Sequence, residues 1–316
     1  MKTPIALIID DAAPRVFVFR EHAKTPFTKD GRPLVKDVPN SFLDHFCDVV
    51  QRYGIGGKFS VVPSPGGRGD IVDGLIDYSR EELTYWLDTV KRRITPTFAL
   101  CPEMINHWQA VNLSEGGYYD ENEAEWSQHQ DRTTLTPYIT RALQLCRDAG
   151  LDCTGVTSPW DFGVQVEDEY AWSIGAAMEA VYGRRESWYF CRGKYEQPDA
   201  RPWISLRDGD RTVVAIPGTV HDRFWQSMDT TDVSDAYVSW IADKYISADG
   251  KSGEILNVLN TNGYPILTTH WQSLFSNGAE TGLRALAEVA RRVEAHLSDQ
   301  VVWTHFDALM RETIDA

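Results

Sequence analysis

The stretch that decides the fold is Thr3–Pro14, with the sequence TPIALIIDDAAP. Its apolar run Ile5–Ile9 is short and continuous, which is typical of a parallel strand buried on both faces. Asp10 and Asp11 follow directly, so two carboxylates stand where this strand ends. The run ends in aspartates and has no small-residue cleavage site, which favours a first strand over a secretory signal and predicts a cytoplasmic protein.

Outward from this strand, apolar runs alternate with amphipathic runs along most of the chain. Such alternation indicates parallel strands joined by helical crossovers, and it predicts an α/β fold: a distorted barrel of seven or eight βα units. The predicted strands are Ile5–Ile9, Lys58–Val62, Thr97–Cys101, Thr154–Val156, Trp188–Cys191, Pro265–Thr269 and Val301–Thr304. The predicted helices are Ser41–Tyr53, Ser79–Arg93, Leu135–Ala149, Asp168–Tyr182, Val233–Ile246, Glu280–Leu297 and one that begins at Asp307.

One region, residues 202–216, departs from this alternation. Two β-rich runs flank the turn sequence Asp208-Gly209-Asp210, which predicts an inserted antiparallel hairpin.

The Gly- and Pro-rich segment Pro63–Gly74 predicts a mobile loop, and the polar segment Gly116–Arg132 predicts a second lid. No long linker and no internal repeat occur, so the chain is expected to be a single domain, residues 1–316.

Composition excludes several classes of function. The 316 residues carry a formal net charge of −15, which would repel nucleic acids and anionic lipid headgroups. No apolar stretch approaches the roughly 20 residues that a membrane helix needs. The five cysteines lack CxxC spacing, which argues against a thiolate zinc site. Serine-nucleophile and phosphate-loop motifs are absent as well.

Polar residues cluster where predicted strands end, and the carboxyl ends of parallel barrel strands face a common site. Of two adjacent carboxylates, one suits cation binding and the other proton removal from water, although both could simply cap a loop. The candidates at strand ends are Asp10, Asp11, Glu103, His107, Trp160, Asp161 and His270. His221, which is expected to pair with its neighbour Asp222, is a further candidate after the hairpin.

Four segments in chain order resemble the motifs of the polysaccharide deacetylases. The segment LIIDDAAP (7–14) resembles their first motif, and PEMINHWQAVNL (102–113) resembles the second. TSPWDFG (157–163) resembles the third motif, and PILTTHW (265–271) the last. The resemblance therefore spans residues 10–270 and implies a distorted barrel of about seven strands.

The resemblance also implies roles for individual residues. Asp10 would be the general base, Asp11 and His107 would bind a divalent metal such as zinc, and His270 would be the general acid. Val111 stands where the family has a second metal-binding His, and Thr157 where it has an Arg that steadies the base. The candidates for the replacement ligand are Glu103, His129, His221 and His270. The candidates for substrate binding are Trp160, Asp161, Glu103, Trp108, Trp271 and His221.

These inferences predict a metal-dependent hydrolase that removes an acetyl or similar acyl group from a mono- or oligosaccharide. Two alternatives stay open: a metal-independent glycosidase that pairs Asp10 or Asp11 with Glu103 or Asp161, and a catalytically silent glycan-binding relative. The expected partner is a small carbohydrate, with no nucleic acid and no membrane. The long helix Glu280–Leu297 leaves homo-oligomerisation open.

Overall fold

The structure is a computed structural model that describes residues 2–15, 27–28 and 30–316. Its strands are β1 (Thr3–Ala12), β2 (Gly57–Val61), β3 (Gly69–Asp70), β4 (Gly74–Leu75), β5 (Phe98–Pro102), β6 (Gln109–Val111), β7 (Tyr118–Asn122), β8 (Gly155–Thr157), β9 (Glu186–Phe190), β10 (Trp203–Asp208), β11 (Arg211–Ala215), β12 (Ile266–His270) and β13 (Val301–Trp303).

The α-helices lie mostly between these strands. They are α1 (Asn40–Tyr53), α2 (Arg80–Thr89), α3 (Glu123–Ser127), α4 (Arg132–Asp148), α5 (Glu167–Tyr182), α6 (Asp235–Tyr245), α7 (Glu254–Asn260), α8 (Trp271–Phe275), α9 (Thr281–Leu297) and α10 (Phe306–Asp315). No helix of the described residues combines the length and the apolar character needed to cross a membrane.

The strands form two main sheets. One has the order β12-β1-β2-β5, with β13 also pairing β1, and the other has the order β10-β11-β9-β8. β1 pairs in parallel with β12 from Ala6 to Asp10, and β11 pairs in parallel with β9. The α/β prediction with mostly parallel strands is therefore confirmed, and so is the hairpin, since β10 and β11 are antiparallel.

The chain divides into two compact units, and the division between Lys58 and Phe59 falls inside β2. The first unit holds residues 1–58, 193–201 and 218–305. In it β1 pairs with β12, and α1 packs against α9. The second unit holds 59–192, 202–217 and 306–316, with α4 packed on α5. The expectation of a single domain stays a prediction.

β1 shows why this sequence forms a central strand. From Pro4 onward all of its residues are buried, as the continuous apolar run predicts. Its neighbour β2 begins with Gly57, where a Cβ atom would overlap the backbone carbonyl of Leu7. Glycine at this position lets the two strands approach closely enough to pair.

Local signals account for several helix boundaries. The hydroxyl of Ser79 accepts the backbone N–H of Glu82 at 3.4 Å and so fixes the start of α2 next to its predicted start. The α-helix ends at Thr89 and continues to Ile94 as a π-helix. The hydroxyl of Ser234 caps α6, so this helix begins two residues later than predicted. The predicted lid includes β7 and α3, and the predicted loop 63–74 contains a 3₁₀ turn and β3.

Candidate metal and acid–base site

Asp10, the first carboxylate after the apolar run of β1, is buried together with the ammonium group of Lys58. Asp10 is 4% exposed and forms an ion pair with Lys58 of β2, which is 0% exposed. Asp10 also lies directly opposite His270 in the register of β1 and β12. Lys58 thus compensates the charge of Asp10, and sequence analysis missed it because GKFSV resembles an ordinary strand start.

The next residue, Asp11, turns its backbone into the left-handed region with φ 62°. Its carboxylate accepts a hydrogen bond of 2.6 Å from the side-chain amide of Gln272, in the first turn of α8. Gln272 is 3% exposed, so both groups are buried. The amide thus orients the Asp11 carboxylate, as hydrogen-bonded neighbours of metal ligands commonly do.

Glu103 and His107 come from the segment after β5. Glu103 is 2% exposed and accepts a hydrogen bond of 2.6 Å from Ser60 of β2. The Nε2 atom of His107 lies 3.5 Å from the Glu103 carboxylate. The side chains of Glu103 and His107, four residues apart in the chain, are therefore in contact.

Asp11, Glu103 and His107 together form a group able to hold a metal ion. One ligand atom from each lies within 4.8 Å of the others, and all three residues are buried. Two carboxylates and one imidazole are ligands that a divalent ion such as zinc accepts, and three protein ligands leave one position for water. The donor set therefore fits such an ion. Glu103 offers the third ligand, since position 111 is a valine and not a histidine.

His270 ends β12 and forms a dyad with Asp222. Its Nδ1 atom lies 2.7 Å from the Asp222 carboxylate. Burial lowers the pKa of His270, but the hydrogen bond and charge of Asp222, with the charges of Asp11 and Asp10, outweigh this and raise the pKa to about 10. The imidazole is therefore protonated at neutral pH, as a general acid must be. Burial raises the pKa of Asp222, and its hydrogen bond with His270 only partly offsets that.

His221 belongs to a separate dyad, so its expected pairing with Asp222 is wrong. Its Nδ1 atom lies 3.0 Å from Glu254, which also accepts a hydrogen bond from the Arg223 guanidinium. The ring of Tyr195 stacks on that of His221 with centroids 4.4 Å apart. His221 is thus held by a carboxylate and an aromatic face.

The aromatic candidates differ sharply in exposure. Trp160 is 46% exposed and lies edge-on to His107, with ring centroids 4.2 Å apart. Trp271 is 1% exposed and packs edge-on against Phe42 and Phe46, so its ring has no open face for a sugar. Trp225, which sequence analysis missed, is 37% exposed and lies edge-on to His270 at 4.8 Å.

The remaining candidates lie elsewhere. Trp108 packs near Tyr118, with centroids 6.1 Å apart, and is half-buried. Asp161 is exposed, and its backbone carbonyl accepts a hydrogen bond from Gln128. The exposed His129 lies 3.7 Å from Glu121 and is not part of the metal-binding group.

Comparison with known proteins identifies the fold. No protein-family model and no curated protein matches the chain. Among solved structures, a protein from Mycobacterium smegmatis described as a polysaccharide deacetylase is 14% identical, with TM-score 0.50, over 87% of this chain and 77% of that one.

Two further solved structures align with lower scores. A 4-alpha-glucanotransferase from Thermococcus litoralis is 10% identical, with TM-score 0.47, over 98% of this chain and 40% of that one. A protein from Parabacteroides distasonis described as a glycoside hydrolase/deacetylase is 8% identical, with TM-score 0.49, over 98% of this chain and 70% of that one. The resemblance inferred from the motifs is thus confirmed at the level of fold, through the Mycobacterium smegmatis protein.

Proposed function

We propose that this chain is a metal-dependent hydrolase that removes an acetyl or similar acyl group from a mono- or oligosaccharide, as a divergent member of the polysaccharide deacetylase family. The observation that carries the proposal is the buried group of Asp11, Glu103 and His107. Asp11, a member of this group, directly follows Asp10 in the chain. The likeness of fold to a protein described as a polysaccharide deacetylase supports it.

The proposed reaction divides its work among seven side chains. Asp11, Glu103 and His107 would hold the metal, and the bound ion would supply Lewis-acid chemistry for the acyl carbonyl and for water. Asp10 accepts the proton from the attacking water, and Lys58 compensates the charge of Asp10 within the protein.

His270 donates a proton to the departing sugar nitrogen or oxygen. The Asp222 carboxylate keeps the His270 imidazole protonated, and the hydrogen bond at Nδ1 fixes the orientation of the ring. The acid and the base thus come from opposed positions of the β1–β12 pair.

Exposed aromatic rings supply the proposed sugar contacts. Trp160 and Trp225 each present a partly exposed ring beside one imidazole of the site, and flat rings of this kind pack against apolar sugar faces. The stacked pair of His221 and Tyr195 offers a polar edge for sugar hydroxyls. The proposed partner is therefore a small carbohydrate. A cytoplasmic location, with no nucleic-acid or membrane partner, stays a prediction from the sequence.

The glycosidase alternative receives less support. A glycosidase carboxylate pair needs room between its members for the scissile bond, about 5–9 Å. Oxygen atoms of Asp11 and Glu103 lie within 4.8 Å of each other and of a His107 nitrogen. For this one of the four possible carboxylate pairs, the imidazole nitrogen beside both carboxylates favours a shared cation.

The proposal is tested by acetate release from N- and O-acetylated sugars by protein loaded with zinc. Wild type should release acetate, while Asp11→Asn and His107→Ala should lose at least 100-fold in turnover, since each removes a ligand. Release of free sugar without acetate would favour the glycosidase. Sugar binding without turnover, with the metal bound, would favour the silent glycan-binding protein.

A further inference from the structure

The segment that carries His107 has an unusual backbone. Met104 and His107 both adopt left-handed conformations, with φ 46° and 55°, in the turn that follows β5. Such conformations cost free energy for residues with a side chain and persist where surrounding contacts enforce them. The contacts that enforce this turn therefore decide where the His107 ring points.

Several of these contacts come from one carboxylate, Glu123. It accepts three successive backbone N–H groups: Ile105 at 3.0 Å, Asn106 at 3.2 Å and His107 at 2.7 Å. The Tyr138 hydroxyl donates a fourth hydrogen bond of 2.7 Å. Glu123 is 0% exposed, so its carboxylate lies within protein and is satisfied by these donors.

This role differs from the capping of a helix. Glu123 is the first residue of α3, where a carboxylate often serves the helix's own N–H groups. In α3 that task is already performed by Asn122 and Glu125, which form a complete capping box. The Glu123 carboxylate instead reaches the turn that carries His107.

We propose that Glu123 is a positioning residue, whose buried carboxylate fixes the turn 104–107 and thereby holds His107 in place for metal binding. The inference rests on the proposed function for its metal, and on the four hydrogen bonds for its geometry. Because it acts through His107, Glu123 contributes to metal affinity without touching the metal.

The first test measures zinc binding to the metal-free protein, by competition with a chromophoric chelator. Glu123→Gln keeps the size of the side chain but turns an NH₂ group toward backbone donors, so we expect zinc affinity to fall about 10- to 100-fold. The control is Glu125→Gln, which weakens the capping box of the same helix and should bind zinc like wild type. Wild-type affinity in Glu123→Gln would overturn the inference.

The second test is independent of metal: amide hydrogen exchange at residues 105–107. These amides should exchange slowly in wild type and in Glu125→Gln, and faster in Glu123→Gln. Unchanged exchange in Glu123→Gln would overturn the inference. A wild-type chain that binds no zinc would instead contradict the proposed function, and hydrogen exchange would still decide whether Glu123 fixes the turn.

Glu123→Asp is a second variant, for use if Glu123→Gln fails to fold. Aspartate keeps the charge but shortens the reach, so it should satisfy some of the three amides and bind zinc with intermediate affinity. Affinity equal to wild type, with unchanged exchange at residues 105–107, would show that the placement of this carboxylate is unimportant.

Discussion

Lys58 lies beside Asp10 with both side chains out of water. Removal of one member of such a pair leaves the other charge buried and uncompensated. We therefore expect Lys58→Met to lower the free energy of unfolding by about 3–5 kcal/mol and to reduce turnover. Urea denaturation followed by circular dichroism measures the stability change.

The matched control for Lys58→Met is the double variant Asp10→Asn/Lys58→Met. With both charges gone, no carboxylate is left uncompensated, so most of the lost stability should return although turnover should not. A double variant as unstable as Lys58→Met would mean that the lysine contributes through packing rather than charge.

The His270–Asp222 dyad predicts a pH dependence. The pKa of His270 is raised from 6.5 to about 10, so the stability gained from its protonation is fully present below pH 6.5 and is lost as the pH rises through about 10. Asp222→Asn removes the largest raising contribution and should lower this pKa. The alkaline limb of the pH–rate profile should then move to lower pH.

Glu254→Gln is the control for this pH dependence. It alters the pairing of His221 and leaves the partner of His270 intact. Its alkaline limb should coincide with that of wild type. An Asp222→Asn profile identical to wild type would remove His270 from the role of general acid.

Single residues also show where sequence analysis succeeds and fails. Asp10 and Asp11 are recognisable because they follow an apolar run, and His270 because it follows a predicted strand. Glu103 was recognisable as a candidate, yet its choice as third ligand over His129 needed coordinates. The partner of His270 lies 48 residues away, and no local spacing reveals a pair so distant.

At the level of elements, the pairing of β1 with β2 depends on Gly57. An added Cβ would meet the backbone of Leu7, which cannot move aside as a flexible side chain can. We expect Gly57→Ala to lower the free energy of unfolding by about 1–3 kcal/mol or more, because the strands must separate. Thermal unfolding measures the change.

Gly54→Ala provides the comparison. Gly54 ends α1 in a left-handed conformation with φ 63°, and nothing lies within 4 Å of an added Cβ. Its substitution should therefore cost only about 1 kcal/mol, from backbone conformation. Equal losses in the two variants would argue against close strand contact as the reason for Gly57.

Elements with strong periodicity were predicted within a few residues. α1, α4, α5 and α9 each have a buried face that recurs at helical spacing, and their observed bounds differ from the predicted ones by at most three residues. The short α3, α7 and α8 have five to seven residues, too few to show a period. Contacts elsewhere in the protein stabilise them, so local sequence carries little of the signal.

For the whole molecule, metal binding should appear as added stability. A ligand that binds only the folded state at 100 times its Kd raises the free energy of unfolding by about 2.7 kcal/mol. Zinc should do so for wild type, and chelation should reverse it. Asp11→Asn should show a much smaller gain, measured by urea denaturation at matched ionic strength.

Ionic strength needs control because the chain carries a net charge of −15, which attracts any cation. Sodium chloride at equal ionic strength should give wild type and Asp11→Asn the same small stabilisation. A zinc effect no larger than that of sodium would contradict the assigned group.

The left-handed conformations at Asp11, Met104, His107 and Trp160 have an evolutionary consequence. Aspartate and histidine tolerate such angles fairly well, whereas methionine and tryptophan do so poorly. A library screened only for heat resistance should therefore enrich glycine at 160, where the side chain is 46% exposed and glycine relieves the backbone cost. It should not enrich glycine at 104, because the loss of this buried side chain would cost more than the backbone gains. Heat resistance would then rise while turnover falls, because the substitution removes the Trp160 ring from its proposed contact with the sugar. The same library screened for turnover should retain tryptophan at 160.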